Sequence, residues 1–404
     1  MKLKHNILLA ACLLLFSACV DFDDATQASS VTVQLLSPEG ISVDLGGHPV
    51  TMLIGGQSTI VTSDAEGKAE FRNIIPDVYD ISTSWSLSAA EYLAAGGDEA
   101  VAMTLSGSLK SQMIKGSEVL NLQLQAAPDR DIIIGKVYFA GSKDNNNRSY
   151  MAGKYIELFN QSDDSVDVSG LYIGMTESES TQAWTLQNLN DTFGYQQAIL
   201  LKQIYRIPAD QPYWVEPGGT VLICNSATDH TDGNDNENDL SDADFEVKDV
   251  SGNYQNNPAV PAMEMIYQVY TGTSVMNLVQ SGLAGVVIFR TEQNVSDWQK
   301  VYKFGKSTGL LQFVVCPTNI IQDGMESLTN KTTGIDVTTK RLHDNIDAGY
   351  TYINATSGWN GEVVYRKTKA LQNGHKVLVD TNNSSNDFQA SSTIKPREYD
   401  DYEE

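Results

Sequence analysis

Between Val31 and Gln125 the chain breaks into short runs of apolar and β-branched residues at 31–35, 49–54, 58–62, 68–71, 78–81 and 101–105, with turn residues between them. Leu120, Leu122 and Leu124 then alternate with Asn121, Gln123 and Gln125, the period of a strand with one buried face. Seven such strands predict a sandwich over residues 31–127. Ala127-Pro128-Asp129-Arg130-Asp131 interrupts the pattern, and a new apolar run follows at 132–139. Further strand-like runs occur at 155–159, 221–224, 284–289, 313–316 and 363–367, so a second, larger β-region is expected over 131–392. The fold class is mainly β, two sandwiches in series.

The stretch Thr62-Ser63-Asp64-Ala65-Glu66-Gly67-Lys68-Ala69-Glu70-Phe71, followed by Ile75-Pro76-Asp77-Val78-Tyr79, resembles the carboxypeptidase regulatory-like and prealbumin-like modules of surface proteins. In those modules an Asp-x-x-Gly turn precedes a strand and a Pro-Gly-x-Tyr step opens the next; here Asp77 stands in place of that glycine. The resemblance implies an Ig-like or prealbumin-like docking module. In the second region, residues 154–171 resemble the opening of a lamin-tail domain, an Ig-type sandwich. Residues 214–223, with the turn Pro217-Gly218-Gly219, then 284–289, then 361–367 with 380–388, resemble its later elements in the expected order. Asn160 to Asp164 and Gly218-Gly219 supply turn chemistry, so these motifs read as fold determinants. They leave two long insertions, at about 176–214 and 228–275, and inserted loops on a rigid scaffold are where binding surfaces usually sit.

The N-terminus changes the picture. Lys2 and Lys4, an apolar stretch from Ile7 to Phe16, and Ser17-Ala18 before Cys19 have the organisation of a secretory signal and resemble a bacterial lipobox. That resemblance implies cleavage after residue 18, acylation of Cys19 and anchoring to outer-membrane lipid. The acidic tether at 19–30, with Asp21, Asp23 and Asp24, is similar to a surface-export signal and implies display on the cell exterior. As a whole, the chain resembles an uncharacterised family of Gram-negative surface lipoproteins often encoded near TonB-dependent receptors, for which no catalytic residues are assigned.

Loss of residues 1–18 removes two lysines and no acids, so the net charge of -24 becomes -26. With no basic run to oppose that field, nucleic acid is excluded as a partner. Cys224 and Cys316 lie in apolar strand-like runs, where cysteine serves as a small buried hydrophobe; whether they pair is open at this point.

Two sets of candidate residues fall in the insertions. Trp184, Phe193, Tyr195, Tyr205, Tyr213 and Trp214 could stack on a small-molecule, metal-complex or glycan ligand or on a partner protein, or cap the core. Asp229, His230, Asp232 and Asp235 open a carboxylate-rich segment that could supply oxygen ligands to Ca2+. Its spacing is not that of an EF-hand loop, and a solvated, mobile acidic loop is the favoured reading. The sequence carries no nucleophile elbow, zincin helix or phosphate loop. Residues 393–404 read as a disordered acidic tail. The expectation is a non-enzymatic, lipid-anchored binding protein accessory to a TonB-dependent uptake system. The alternatives are a calcium-binding adhesin or structural surface protein, and a hydrolase with a site assembled from distant residues.

Overall fold

The computed structural model describes residues 29–54, 57–97, 102–270, 272 and 274–401. Cys19, with the signal and nearly all of the acidic tether, lies outside the described residues, as do 402–404.

The N-terminal unit is a two-sheet sandwich. One sheet has the order Gln57–Thr62, Pro49–Ile54, Asp77–Leu87, Met103–Ile114, Gln125–Pro128; the other runs Lys68–Ile74, Ser29–Leu36, Ser117–Gln123. Val31, Val33 and Leu35 point inward, as their alternation requires, and pack on Val50, Met52, Tyr79, Ile81, Leu122 and Leu124. At the Asp-x-x-Gly turn, Asp64 Oδ1 accepts from the amides of Glu66 and Lys68, and Gly67 takes φ +76°, a conformation that favours glycine. Gln125–Pro128 extends the first sheet beyond the strands read from alternation, right up to the interruption at 128–131.

In the second unit, one sheet has the order Phe245–Glu246, Thr220–Cys224, Tyr155–Asn160, Ile132–Tyr138, Val363–Arg366, Phe388–Ser391. The other runs Lys300–Tyr302, Gln312–Pro317, Ala198–Arg206, Tyr172–Thr176, Ala284–Phe289, Ile321–Ser327, with Glu264–Gln268 also paired to Ala198–Arg206. Ile156, Leu158, Val221 and Ile223 of the first sheet share a core with Ile173, Met175, Tyr205, Val286, Ile288 and Met325 of the second. The second sheet is covered on its far face too: Ile199, Leu201, Val287, Phe289 and Val314 pack under Val295, Leu342 and Ile346. Burial on both faces explains why Ala284–Phe289 is a continuous apolar run and not an alternating one. Cys224 and Cys316 are buried on different sheets and both are free.

Three expectations change here. The segment 176–214 is not wholly an inserted loop, because Ala198–Arg206 is an interior strand of the larger sheet. Its Lys202 is buried and donates to Ser178 Oγ at 2.6 Å, and its Gln203 donates to the Val275 carbonyl at 2.9 Å, so polar residues occupy core positions with partners. The segment 228–275 likewise contributes Phe245–Glu246 and Glu264–Gln268 to the two sheets. Through Asp401 the acidic tail is packed, not loose. Lys136 and Glu157, both fully buried, pair at 3.1 Å; Lys136 also donates to the Lys395 carbonyl and lies 4.1 Å from the Tyr399 ring centre. The Arg397 amide donates to Glu157 Oε2 at 2.6 Å, and Tyr365 donates its hydroxyl to Asp400.

The sheets are joined by one buried guanidinium. Arg366 Nη2 donates to both oxygens of Asp323 at 3.0 and 3.1 Å, its Nη1 to Asp387 at 2.9 Å and to Asp380 at 3.2 Å, and its Nε to the Ile134 carbonyl at 2.9 Å. Asp323 Oδ2 in turn accepts the Ile134 amide at 2.6 Å. Five donors in a planar fork are thus distributed over both sheets and the turn 380–387. Replacing Arg366 by Met strands Asp323 and Asp387 without a countercharge, so Arg366→Met is expected to lower the unfolding free energy by roughly 3–5 kcal/mol in a urea titration. A loss within the range of an ordinary surface substitution would contradict this role.

Candidate functional site

A concavity of about 810 Å3 lies between the two units. The outer face of the N-terminal sheet supplies Leu53, Asp80 and Ser111; the second unit supplies Asn330, Val337, Tyr350, Tyr352, Asn354 and Gln389. The N-terminal wall has a strained feature. The pairing of Asp77–Leu87 with Met103–Ile114 shifts register between Tyr79 and Ile81, and opposite that shift Ser111 adopts φ +52°. Asp80 Oδ1 holds that conformation by accepting the Ser111 amide at 2.8 Å, while Lys110 pairs with Asp80 at 3.4 Å.

The opposite wall is an extended segment in which Tyr350, Tyr352 and Asn354 alternate with buried Thr351 and Ile353. Buried carboxylates fix it from behind. Glu326 accepts the Arg341 and Leu342 amides at 2.5 and 3.0 Å. Asp347 accepts the amides of Glu326, Gly349 and Ser384 at 2.9, 3.0 and 2.8 Å. Glu362 accepts the Asn354 amide at 2.7 Å and its side-chain amide at 2.6 Å. Contact between the units is direct: Ser108 Oγ donates to the Ala348 carbonyl at 2.9 Å, and Lys110 Nζ lies 5.9 Å from the Tyr350 ring centre. The cleft therefore combines tyrosine rings with amide, hydroxyl and carboxylate groups. Such a lining suits a polar ligand held by stacking and hydrogen bonds.

The six insertion aromatics are not brought together. Trp184 and Phe193 pack with each other, and Trp184 Nε1 donates to the Tyr302 carbonyl at 2.8 Å, so they cap the outer face of the larger sheet. Tyr205 is interior and donates to the Ser274 carbonyl. Tyr213 donates to Asp244 and packs on Phe245. Tyr195 and Trp214 keep exposed rings, at 71% and 60%. Trp214 belongs to the short ladder of Val166–Asp167 with Trp214–Val215.

Nor do the four acidic-loop residues converge on one point. Asp229 Oδ1 accepts from Thr231 N and Oγ1 at 2.9 and 2.7 Å. Both nitrogens of buried His230 are engaged: Nε2 donates to the Ser226 carbonyl at 2.8 Å, which leaves Nδ1 to accept from the Tyr150 hydroxyl at 2.7 Å. Burial holds its pKa below the ordinary histidine value. Asp232 is exposed, and exposed Asp235 meets Asn145 at 3.5 Å. Among the described residues no group of three or more His, Cys, Asp or Glu side chains is placed to hold a metal ion. The same segment also sends residues inward. Glu237 is buried, its Oε1 accepting from Tyr138 and Ser142 hydroxyls at 2.9 and 2.6 Å, and Asn234 donates to Ser142 at 2.9 Å.

A family model described as "Protein of unknown function (DUF4876)" matches residues 216–395, so the later part of the second unit is similar to an uncharacterised family. In structure the chain is similar to a DUF4876 family protein from Bacteroides thetaiotaomicron VPI-5482, with a TM-score of 0.57, 20% identity, and coverage of 89% of this chain and 94% of that one. That likeness is one of fold: a mainly β protein of several sheets. Fervidolysin from Fervidobacterium pennivorans, a keratinolytic enzyme related to subtilisin, overlaps at a TM-score of 0.18, with 13% identity over 50% of this chain and 26% of that one, too little for an argument about either fold or activity. No curated protein matches the chain. Among the described residues no helix is long and apolar enough to cross a membrane.

The cleft wall carries a pH signature. Burial pushes the Glu326 carboxyl up to about 7, against the pull of Lys340, whereas an unfolded glutamate titrates near 4.5. The native state therefore holds a proton that the unfolded state releases between those values, and stability is lost as pH rises through that window. Between pH 5 and pH 8 this group is expected to remove roughly 2–3 kcal/mol. Urea titrations of Glu326→Gln should show a pH slope shallower than wild type by that amount; parallel slopes would contradict the assignment.

Proposed function

We propose that the chain is a lipid-anchored, non-enzymatic binding protein on the outer face of the outer membrane, which holds a neutral polyhydroxylated ligand of glycan type between its two sandwiches for a TonB-dependent uptake system. The observation that carries this reading is the cleft: its rings and hydrogen-bonding groups are set on one sheet face and on an opposing extended segment pinned by buried carboxylates, as a recognition surface requires. The buried acids and bases behind it have structural occupations. Glu326 and Asp347 accept backbone amides, Glu362 is held by Asn354 and Asn360, and Arg366 is spent on backbone carbonyls and on Asp323, Asp380 and Asp387. The anchor rests on the lipobox-like sequence that ends at Cys19, and the uptake partner on the sequence resemblance.

The binding claim is tested on a glycan array probed with the full mature chain. Wild type is expected to retain a defined subset of neutral glycans, and Tyr352→Ala, at a 43% exposed ring, to lose them while its melting temperature stays unchanged. Retention of the same glycans by the variant, or none by wild type, would refute the cleft as the site. The anchor is tested separately: a clickable fatty acid should label wild type and not Cys19→Ser, and purification from solubilised outer membranes should recover a TonB-dependent receptor with it.

A further inference from the structure

A second cavity, about 260 Å3, opens on the second unit between the turn at Met151–Lys154 and the segments 251–254 and 275–280. Its distinguishing feature is a buried ammonium group. Lys154 is 3% exposed, and its Nζ donates to the Leu278 carbonyl at 2.7 Å. An ammonium has three protons to donate, and among the described residues no carboxylate stands within the 4 Å of an ion pair to take the others. Burial pulls its pKa down to about 8, with Glu237 acting in the opposite direction from behind Gly153. A Cβ at Gly153 would lie 2.2 Å from Glu237 Oε2, so any larger residue there would have to displace that carboxylate. Glu237 engages Tyr138 and Ser142 through Oε1 and has, among the described residues, no partner at Oε2, but it stands beyond ion-pair distance of Nζ, so it tempers the charge without pairing with it.

Burying an unpaired ammonium is costly, and a fold that needed only a donor to the Leu278 carbonyl could supply a neutral one. The rest of the lining adds to the chemistry. Asn225, fixed by accepting the Met276 amide at 2.8 Å, and Tyr254 bring polar groups, while Met151, Met276 and Leu278 bring apolar walls.

We propose that this cavity is a binding site for a small organic anion, a carboxylate on an apolar body, with Lys154 Nζ as its charge partner and Asn225 and Tyr254 as hydrogen-bonding walls. The site is separate from the cleft between the units and does not rest on the glycan reading. A carboxylate at Nζ completes the ion pair that the protein leaves open, in a setting where charge-assisted hydrogen bonds are strong.

The test is saturation-transfer NMR on the full mature chain with sodium benzoate, and with benzyl alcohol as a control of similar shape and no charge. Benzoate should receive saturation from wild type and benzyl alcohol should not. Lys154→Gln should weaken benzoate binding by at least about tenfold, and Lys154→Arg should retain it. Equal transfer to both probes, transfer to neither, or benzoate binding unchanged in Lys154→Gln would each overturn the proposal. The comparison of the two probes on wild type decides the matter even if a variant fails to fold.

Discussion

A guanidinium deep inside a protein must have its charge and all its donors answered at once, and Arg366 has them answered by groups from three separate parts of the chain. Asp323 comes from the larger sheet, the Ile134 carbonyl from the smaller, and Asp380 and Asp387 from the closing turn. No one of these elements can leave without exposing an unpaired charge to the interior. The constraint is geometric as much as energetic, since the planar fork accepts few arrangements of its partners. It fixes where the strand Phe388–Ser391 begins, and hence where Gln389 lies along the cleft.

From that hub the same device is repeated outward with different residues. Asp347 binds the amide of Ser384, three residues before Asp387, and the amide of Glu326, three residues after Asp323. Glu326 then holds the turn at 341–342, and Thr351 donates its amide to the Glu326 carbonyl. The wall that carries Tyr350 and Tyr352 is thus suspended on a chain of buried carboxylates. Acidic side chains in a strongly acidic protein would be read as surface charge. Here a share of them form internal scaffolding, and this wall of the cleft presents tyrosines and amides.

How legible all this was in the sequence follows from burial. Strands with one wet face, such as Ser29–Leu36 with Val31, Val33 and Leu35, alternate and could be read directly. Strands covered on both faces lose alternation. Ala284–Phe289 still shows as an apolar run, but Ala198–Arg206 carries Lys202, Gln203 and Arg206 among its apolar residues and so reads as part of an insertion. The partners that make those polar residues tolerable come from segments such as 178 and 275, which no local pattern reveals. The order of the acidic tail is hidden for the same reason: Tyr399 and Arg397 find Lys136 and Glu157 far away in sequence. The cleft was harder still. The alternation of Tyr350, Tyr352 and Asn354 was a usable signal, but that face matters only because the sheet bearing Asp80 and Ser111 stands opposite it.

If the buried Arg366 network sets the architecture of the second unit, its three contributing segments must open together. Native-state hydrogen exchange followed by mass spectrometry addresses this most directly. The account predicts that amides of 134–138, 323–327 and 363–366, and the hydrogen-bonded amides of 381–387, exchange only through one cooperative opening whose free energy equals that of global unfolding of this unit. Exchange of 381–387 through a separate, much cheaper opening, with 323–327 still protected, would contradict it.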